Sequence, residues 1–182
     1  MAVLRSLCFF LAVACTLGPA YGATLERLSL DDMIQKSTSI VRCRVESSRA
    51  VKRNRLIYTY TRVRVLEQWK GTEASSIEVA SPGGALAGQR QEFSGVPTLA
   101  PGKEYVLFLW KGKSGTTYVI GLSQGVFRLK VNENGETVAV RSASQEVMLD
   151  PASGQAVGDR TLSFPLSQLR GRVQSSLAGA KQ

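Results

Sequence analysis

The chain has 182 residues, a formal net charge of +9 and no histidine. The missing histidine removes Ser-His-Asp and Cys-His catalysis and every histidine metal cluster, so the reading calls for no metal and no cofactor. Cys8 and Cys15 fall in the apolar N-terminal stretch, which leaves Cys43 without a disulfide partner.

Residues 1–22 read as a secretory signal. Arg5 supplies the positive start, residues 7–17 the apolar run, Gly18 and Pro19 the helix break, and Ala20 and Gly22 the small residues of a cleavage site. Cleavage before Ala23 is expected, and the apolar run is short for a membrane span. The mature chain would then be secreted or periplasmic and carry no transmembrane span. The alternatives are an uncleaved anchor and lipid attachment at Cys15, because Ala12-Val13-Ala14-Cys15 resembles a lipobox. The mature part, about 160 residues, suits a single β-rich domain over 23–182.

A short helix is predicted from Ser29 to Lys36, capped by Ser29 with Asp31 and Asp32 in its first turn. A strand follows over 39–47, with Val41, Cys43 and Val45 on one face and Arg42 and Arg44 on the other. Residues 49–55 read as a basic turn. The next strand, 56–69, puts Ile57, Thr59, Thr61, Val63, Val65 and Trp69 on one face and Tyr58, Tyr60, Arg62 and Arg64 on the other. Residues 76–80 form a short strand. Residues 81–100, rich in glycine and proline, read as an irregular loop.

Residues 105–110 are apolar at every position, the pattern of a central strand covered on both sides. Strands are predicted over 118–122, 125–131 and 137–141, the last two joined by the Asn132-Glu133-Asn134-Gly135 turn. Pro165 opens a final helix whose Leu166, Leu169, Val173 and Leu177 share one face. The fold expected is mostly β: a small OB-like antiparallel barrel or partly open barrel, with a short helix near the N-terminus and a C-terminal helix.

Two patterns invite catalytic or ligand chemistry. Gly121-Leu122-Ser123-Gln124-Gly125 matches the Gly-x-Ser-x-Gly nucleophile elbow, yet no histidine exists to serve Ser123 and the residues after Gly125 read as strand. No catalytic residue is therefore assigned. The stronger candidate is a surface. If the two arginine-bearing strands pair antiparallel, Arg42, Arg44, Tyr58, Tyr60, Arg62 and Arg64 form one patch, with forked cationic donors beside stacking planes.

Residues 39–45, Tyr58-Thr59 through Trp69-Lys70-Gly71, and residues 102–109 together resemble uncharacterised exported bacterial proteins. More distantly, they resemble the netrin-type OB barrel of tissue inhibitors of metalloproteinases. The resemblance implies a barrel. It does not extend to zinc chelation by an N-terminal cysteine, because the expected first residue is Ala23. The function expected is an exported non-enzymatic binding or interaction module for a protein or an anionic polymer. The alternatives are a structural cell-envelope protein and a histidine-independent hydrolase using Ser123. Neither oligomeric state nor strand order follows from these patterns.

Overall fold

The computed structural model describes residues 23–179. Residues 1–22, on which the expected signal and the lipid-attachment alternative at Cys15 fall, lie outside them. The elements in chain order are β1 (Thr24–Glu26), α1 (Leu30–Lys36), β2 (Ser39–Arg53), β3 (Leu56–Lys70), β4 (Ser76–Pro82), β5 (Gly84–Leu86) and β6 (Gln89–Gln91). Then come β7 (Glu104–Lys111), β8 (Thr117–Val119), a 3-10 turn (Leu122–Gly125), β9 (Val126–Val131), β10 (Thr137–Arg141), β11 (Val147–Leu149), β12 (Ala156–Val157), β13 (Leu162–Pro165) and α2 (Leu166–Gly179). Helix α1 begins with a capping box, in which the Ser29 hydroxyl accepts from the Asp32 amide and the Asp32 carboxylate accepts from the Ser29 amide.

The main sheet has the order β13-β10-β9-β7-β2-β3-β4-β8. Strand β8 also pairs antiparallel with β7, through Leu109, Trp110 and Lys111. The pairings β7-β2-β3-β4-β8 therefore run round a circuit. Its seam is two parallel residue pairs, Val79 with Thr117 and Ala80 with Tyr118, so the wall is not closed along its length.

Strand β7 holds the centre. Tyr105, Val106, Leu107, Phe108 and Leu109 are all buried, as the uniformly apolar run predicts. Val106 and Phe108 join a core with Met33, Ile34, Ile40, Phe127, Leu169 and Val173 beneath the two helices. Tyr105, Leu107 and Leu109 join a second core with Val41, Cys43, Val45, Val63 and Val79 on the concave side of the rolled sheet. Helix α2 contributes Leu169 and Val173 fully and Leu166 and Leu177 partly, the face its spacing predicts.

Three expectations are corrected. Strand β2 does not stop at residue 47. It pairs with β3 to Arg53, and the basic turn shrinks to Asn54 and Arg55, where Asn54 takes the left-handed conformation a two-residue hairpin needs. Trp69 does not share a face with Val63. The register shift between Arg42 and Cys43 inserts Leu66 as an extra β3 residue and reverses the alternation beyond it, which turns Trp69 to the side of Glu67, away from that of Val63. Trp69 therefore packs against the helix-side core. Residues 81–100 are not all loop. Ser81 and Pro82 complete β4, and β5 and β6 form a small hairpin, entered through Gly83 and Gly84 at positive φ.

A buried ion pair holds the excursion between β10 and β13. Arg141 Nη2 donates to Asp159 Oδ1 at 2.7 Å and to the Arg160 carbonyl at 2.9 Å, with the two side chains 6% and 3% exposed. Burial pushes the Asp159 carboxyl upward. The Ser144 amide and Arg141 outweigh that and leave it below its ordinary 3.8. Asp159→Asn is expected to cost about 3–5 kcal/mol in urea unfolding at neutral pH, the range for breaking one partner of a buried pair. A carboxyl depressed in the folded state stabilises above its unfolded pKa and stops doing so as pH falls through the folded one. The gap between the parent chain and the variant should therefore narrow on acidification.

Glycines give a second test. A Cβ on Gly125 would meet the Ile120 carbonyl at 2.7 Å, Val119 Cγ1 at 2.8 Å and the Phe108 carbonyl at 2.9 Å, whereas one on Gly171 meets nothing within 4 Å. Gly125→Ala should lose about 1–3 kcal/mol or more, as an overpacked site does. Gly171→Ala, mid-helix, should gain about 0.5–1 kcal/mol. Chemical denaturation of both variants checks the opposite signs.

Candidate functional site

The register brings Arg42, Arg44, Arg62 and Arg64 to one sheet face. Arg44 lies directly opposite Arg64, and Arg62 lies opposite Ser47. Carboxylates interleave them. Arg42 bonds Glu67 at 2.7 Å and Glu104 at 3.0 Å, and Arg44 bonds Glu104 at 2.5 Å. Glu46, on the bulge between Val45 and Ser47, lies 3.8 Å from Arg62 and 4.0 Å from Arg64. The Glu67 bond raises the Arg42 pKa against the opposing effect of burial, and Glu104 adds to the rise. Trp69's indole and Arg42 hold Glu67 below its ordinary value. Burial pushes Glu104 up, but Arg44 and Arg42 draw it lower still. Half-exposed pairs of this kind contribute about 0–1 kcal/mol each. Their larger effect is to neutralise the arginines that the sequence offers as a basic patch.

The tyrosines part company. Tyr60 is 6% exposed and lies under the guanidinium groups of Arg49 and Arg53, 4.9 and 5.1 Å from its ring centroid. It is covered and offers no stacking plane. Tyr58 is half-buried and joins a different set. Strand pairing sets Trp110 opposite Tyr118, Tyr118 beside Ala80, Ala80 opposite Tyr60 and Pro82 opposite Tyr58. The Trp110 and Tyr118 rings stack with centroids 5.3 Å apart and planes 26° apart, and Trp110 is 40% exposed. An aromatic band thus crosses β7, β8 and β3 on the outside of the circuit.

Cations rim this band. Arg53 and Arg55, at the tip of the β2–β3 hairpin, line a hollow with Leu56, Tyr58 and Tyr118. Lys113, in the β7–β8 turn, lines an adjoining hollow with Trp110, Tyr118, Tyr58 and Pro82. Among the described residues, none of Arg53, Arg55 and Lys113 has a carboxylate within salt-bridge distance. In the sequence, Trp110 and Tyr118 fall on separate strands whose individual patterns do not connect them. The signal that joins them is the turn at 112–115, which makes residues on its two sides hairpin partners.

The Gly-x-Ser-x-Gly segment is a 3-10 turn that runs into β9, with Gly121 and Leu122 both at positive φ. Its side chain with a clear role is Gln124, 1% exposed, which accepts from the Leu28 amide at 2.8 Å and donates to the Glu26 carbonyl at 2.9 Å. Gln124 fastens the segment before α1 to the body. The Ser123 amide donates to the Gly95 carbonyl. No set of three or more Cys, Asp and Glu side chains able to hold a metal occurs among the described residues. No described helix is long and apolar enough to cross a membrane. No known family, curated protein or solved structure matches the chain.

Cys43 is fully buried, and burial pushes its thiol up to about 12, with the Glu104 charge adding to the shift. In a chain beginning at Ala23, a thiol-directed reagent should leave Cys43 unmodified at pH 8 and label it fully once denaturant unfolds the protein. Rapid labelling of the folded chain would show that the concave core opens to solvent.

Proposed function

We propose that this chain is an exported, non-enzymatic binding module that holds an anionic polymer across the band of Tyr58, Tyr118 and Trp110. The observation that carries this reading is the contrast between two sets of cations. Arg42, Arg44, Arg62 and Arg64 each face a carboxylate, whereas Arg53, Arg55 and Lys113 have no carboxylate partner among the described residues and stand beside the exposed Trp110 ring and the half-buried Tyr58 and Tyr118. An unneutralised cation draws a polyanion by counterion release, and a stacked ring gives a flat unit of that polymer a surface to lie on. The scaffold we propose is a partly open OB-like barrel. The β7-β2-β3-β4-β8 circuit with its single parallel seam supports it. The composition of residues 1–22 supports export.

Fluorescence titration of the chain from Ala23 with a labelled thymidine homopolymer, and with heparin as a polyanion without flat aromatic bases, tests the reading. Arg53→Glu with Arg55→Glu should weaken both ligands at least about tenfold and flatten the salt dependence, each lost phosphate contact removing about 0.7 from the log-log slope on a single strand. Trp110→Ala should weaken the homopolymer by about 1–3 kcal/mol and heparin far less. Arg62→Gln with Arg64→Gln should change little. If that last pair removes binding while the hairpin-tip pair does not, the site returns to the middle of the sheet. Absence of polyanion binding at low salt overturns the proposal.

A further inference from the structure

The concave face of the rolled sheet changes chemistry over two successive inward pairs. On β3 the inward positions run Val63, Thr61, Thr59; on β4 they run Val79, Ser81; on β2 they run Val45, Ser48. The exchange of β-branched hydrocarbon for hydroxyl falls at Thr61 and the opposing Ser48 on β3 and β2, and one inward pair further along on β4, where Ser81 lies opposite Thr59 and Val79 still faces Thr61. A sheet sealing its core would continue with valine there, since a hydroxyl taken from water costs free energy unless it is bonded. Over these pairs the core gives way to a cleft of about 760 Å³, between the ends of β3 and β4 and the chain from Gly83 to Pro101. That volume is within the range of small-molecule sites, roughly 300–1,000 Å³.

We infer that this cleft binds a neutral saccharide. Its floor carries Ser48, Thr59, Thr61 and Ser81, and its rim carries Phe93 and Pro97. Ser48 and Thr61 share one hydrogen bond at 3.0 Å, and Thr59 spends its proton on the Gly83 carbonyl at 2.8 Å. A hydroxyl donates once and accepts twice. The floor therefore keeps a donor from the Ser48–Thr61 pair, the whole of Ser81, and acceptor lone pairs throughout. Sugar hydroxyls, which donate and accept alike, match that mixture.

Phe93 is 41% exposed, although it is a large apolar ring on the edge of a cavity. The C–H face of a pyranose is the surface such a ring covers, with hydroxyls left at the sugar's edge to meet the floor. Charge selects the ligand further. The charged side chains of the lining, Arg90 and Glu92, bond each other, so the cleft offers no net attraction to an anion. The ligand is therefore of a different class from the polymer proposed for the outer band, and the two sites lie on opposite faces of the β3–β4 pair.

Calorimetric titration of the chain from Ala23 with maltose-, cellobiose- and chitobiose-based oligosaccharides tests this inference. At least one series should saturate with a Kd of about 1 mM or tighter. The affinity should be indifferent to added salt and unaltered by Arg53→Glu with Arg55→Glu, which separates it from failure or success at the outer band. Phe93→Ala, at a side chain 41% exposed and with its fold verified by circular dichroism, should weaken binding by about tenfold, as loss of an aromatic platform does. Thr61→Val, with its fold verified by circular dichroism, should weaken it comparably. Any of three results overturns the assignment: no saturation by any series at millimolar concentration, binding that survives both variants, or saturation by a proline-rich peptide with no response to any saccharide.

Discussion

From Tyr105 to Leu109, strand β7 has no surface left for water. Its alternate side chains enter two separate cores, and both of its edges are hydrogen-bonded. One edge belongs to β2. The other is divided, with β9 taking Tyr105 to Leu107 and β8 taking Leu109 to Lys111. The division forces the chain to leave β8, turn and re-enter as β9 within a few residues, right against the β7 backbone. The Phe108 carbonyl accepts from the Ile120 amide at that point, and Gly125 passes where no side chain fits. Helix placement, the rolled wall and the extension toward β13 all follow from which surface of β7 each element occupies.

How much of this the sequence discloses depends on the range of the interaction. The uniformly apolar run at 105–109 declares a strand with two covered faces, because burial on both sides leaves no polar position. The spacing of Leu166, Leu169, Val173 and Leu177 likewise declares the buried face of α2. Trp69 is where local reading fails. Its face depends on the register shift at Leu66, and a bulge is decided by how a long hairpin bends against its neighbours, which no alternation pattern within one strand records. The pairing of β8 with two different strands is equally invisible locally, because Thr117 to Val119 is too short to advertise its partners.

The candidate site follows the same rule. Spacing alone correctly puts Arg42, Arg44, Arg62 and Arg64 on one face. It cannot supply their counter-charges, because Glu67 and Glu104 arrive from 25 and 62 residues away from Arg42. Net charge counts cations without saying which are neutralised, and here the neutralised ones are those that patterning makes conspicuous. Arg53 and Arg55 look like ordinary turn residues until β8 brings Tyr118 beside the hairpin tip. The Arg141–Asp159 pair is hidden for a related reason: an arginine at a strand end and an aspartate in a glycine-flanked segment both read as solvent-facing until the chain between them closes.

The seam between β4 and β8 has a dynamic consequence. Cooperative units of a protein open in order of their local stability, and a boundary held by few backbone bonds separates before the rest. Val79–Thr117 and Ala80–Tyr118 are the whole of that boundary, whereas β2 and β3 are joined along nearly their full length. The wall should therefore breathe as a gate hinged on β7, with β8 swinging and the β2–β3 hairpin standing still. Amide exchange along β4 and β8 would run ahead of exchange along β2. Because Tyr118 rides on the moving strand, the spacing of the outer aromatic band and the opening of the inner core are two readings of one motion.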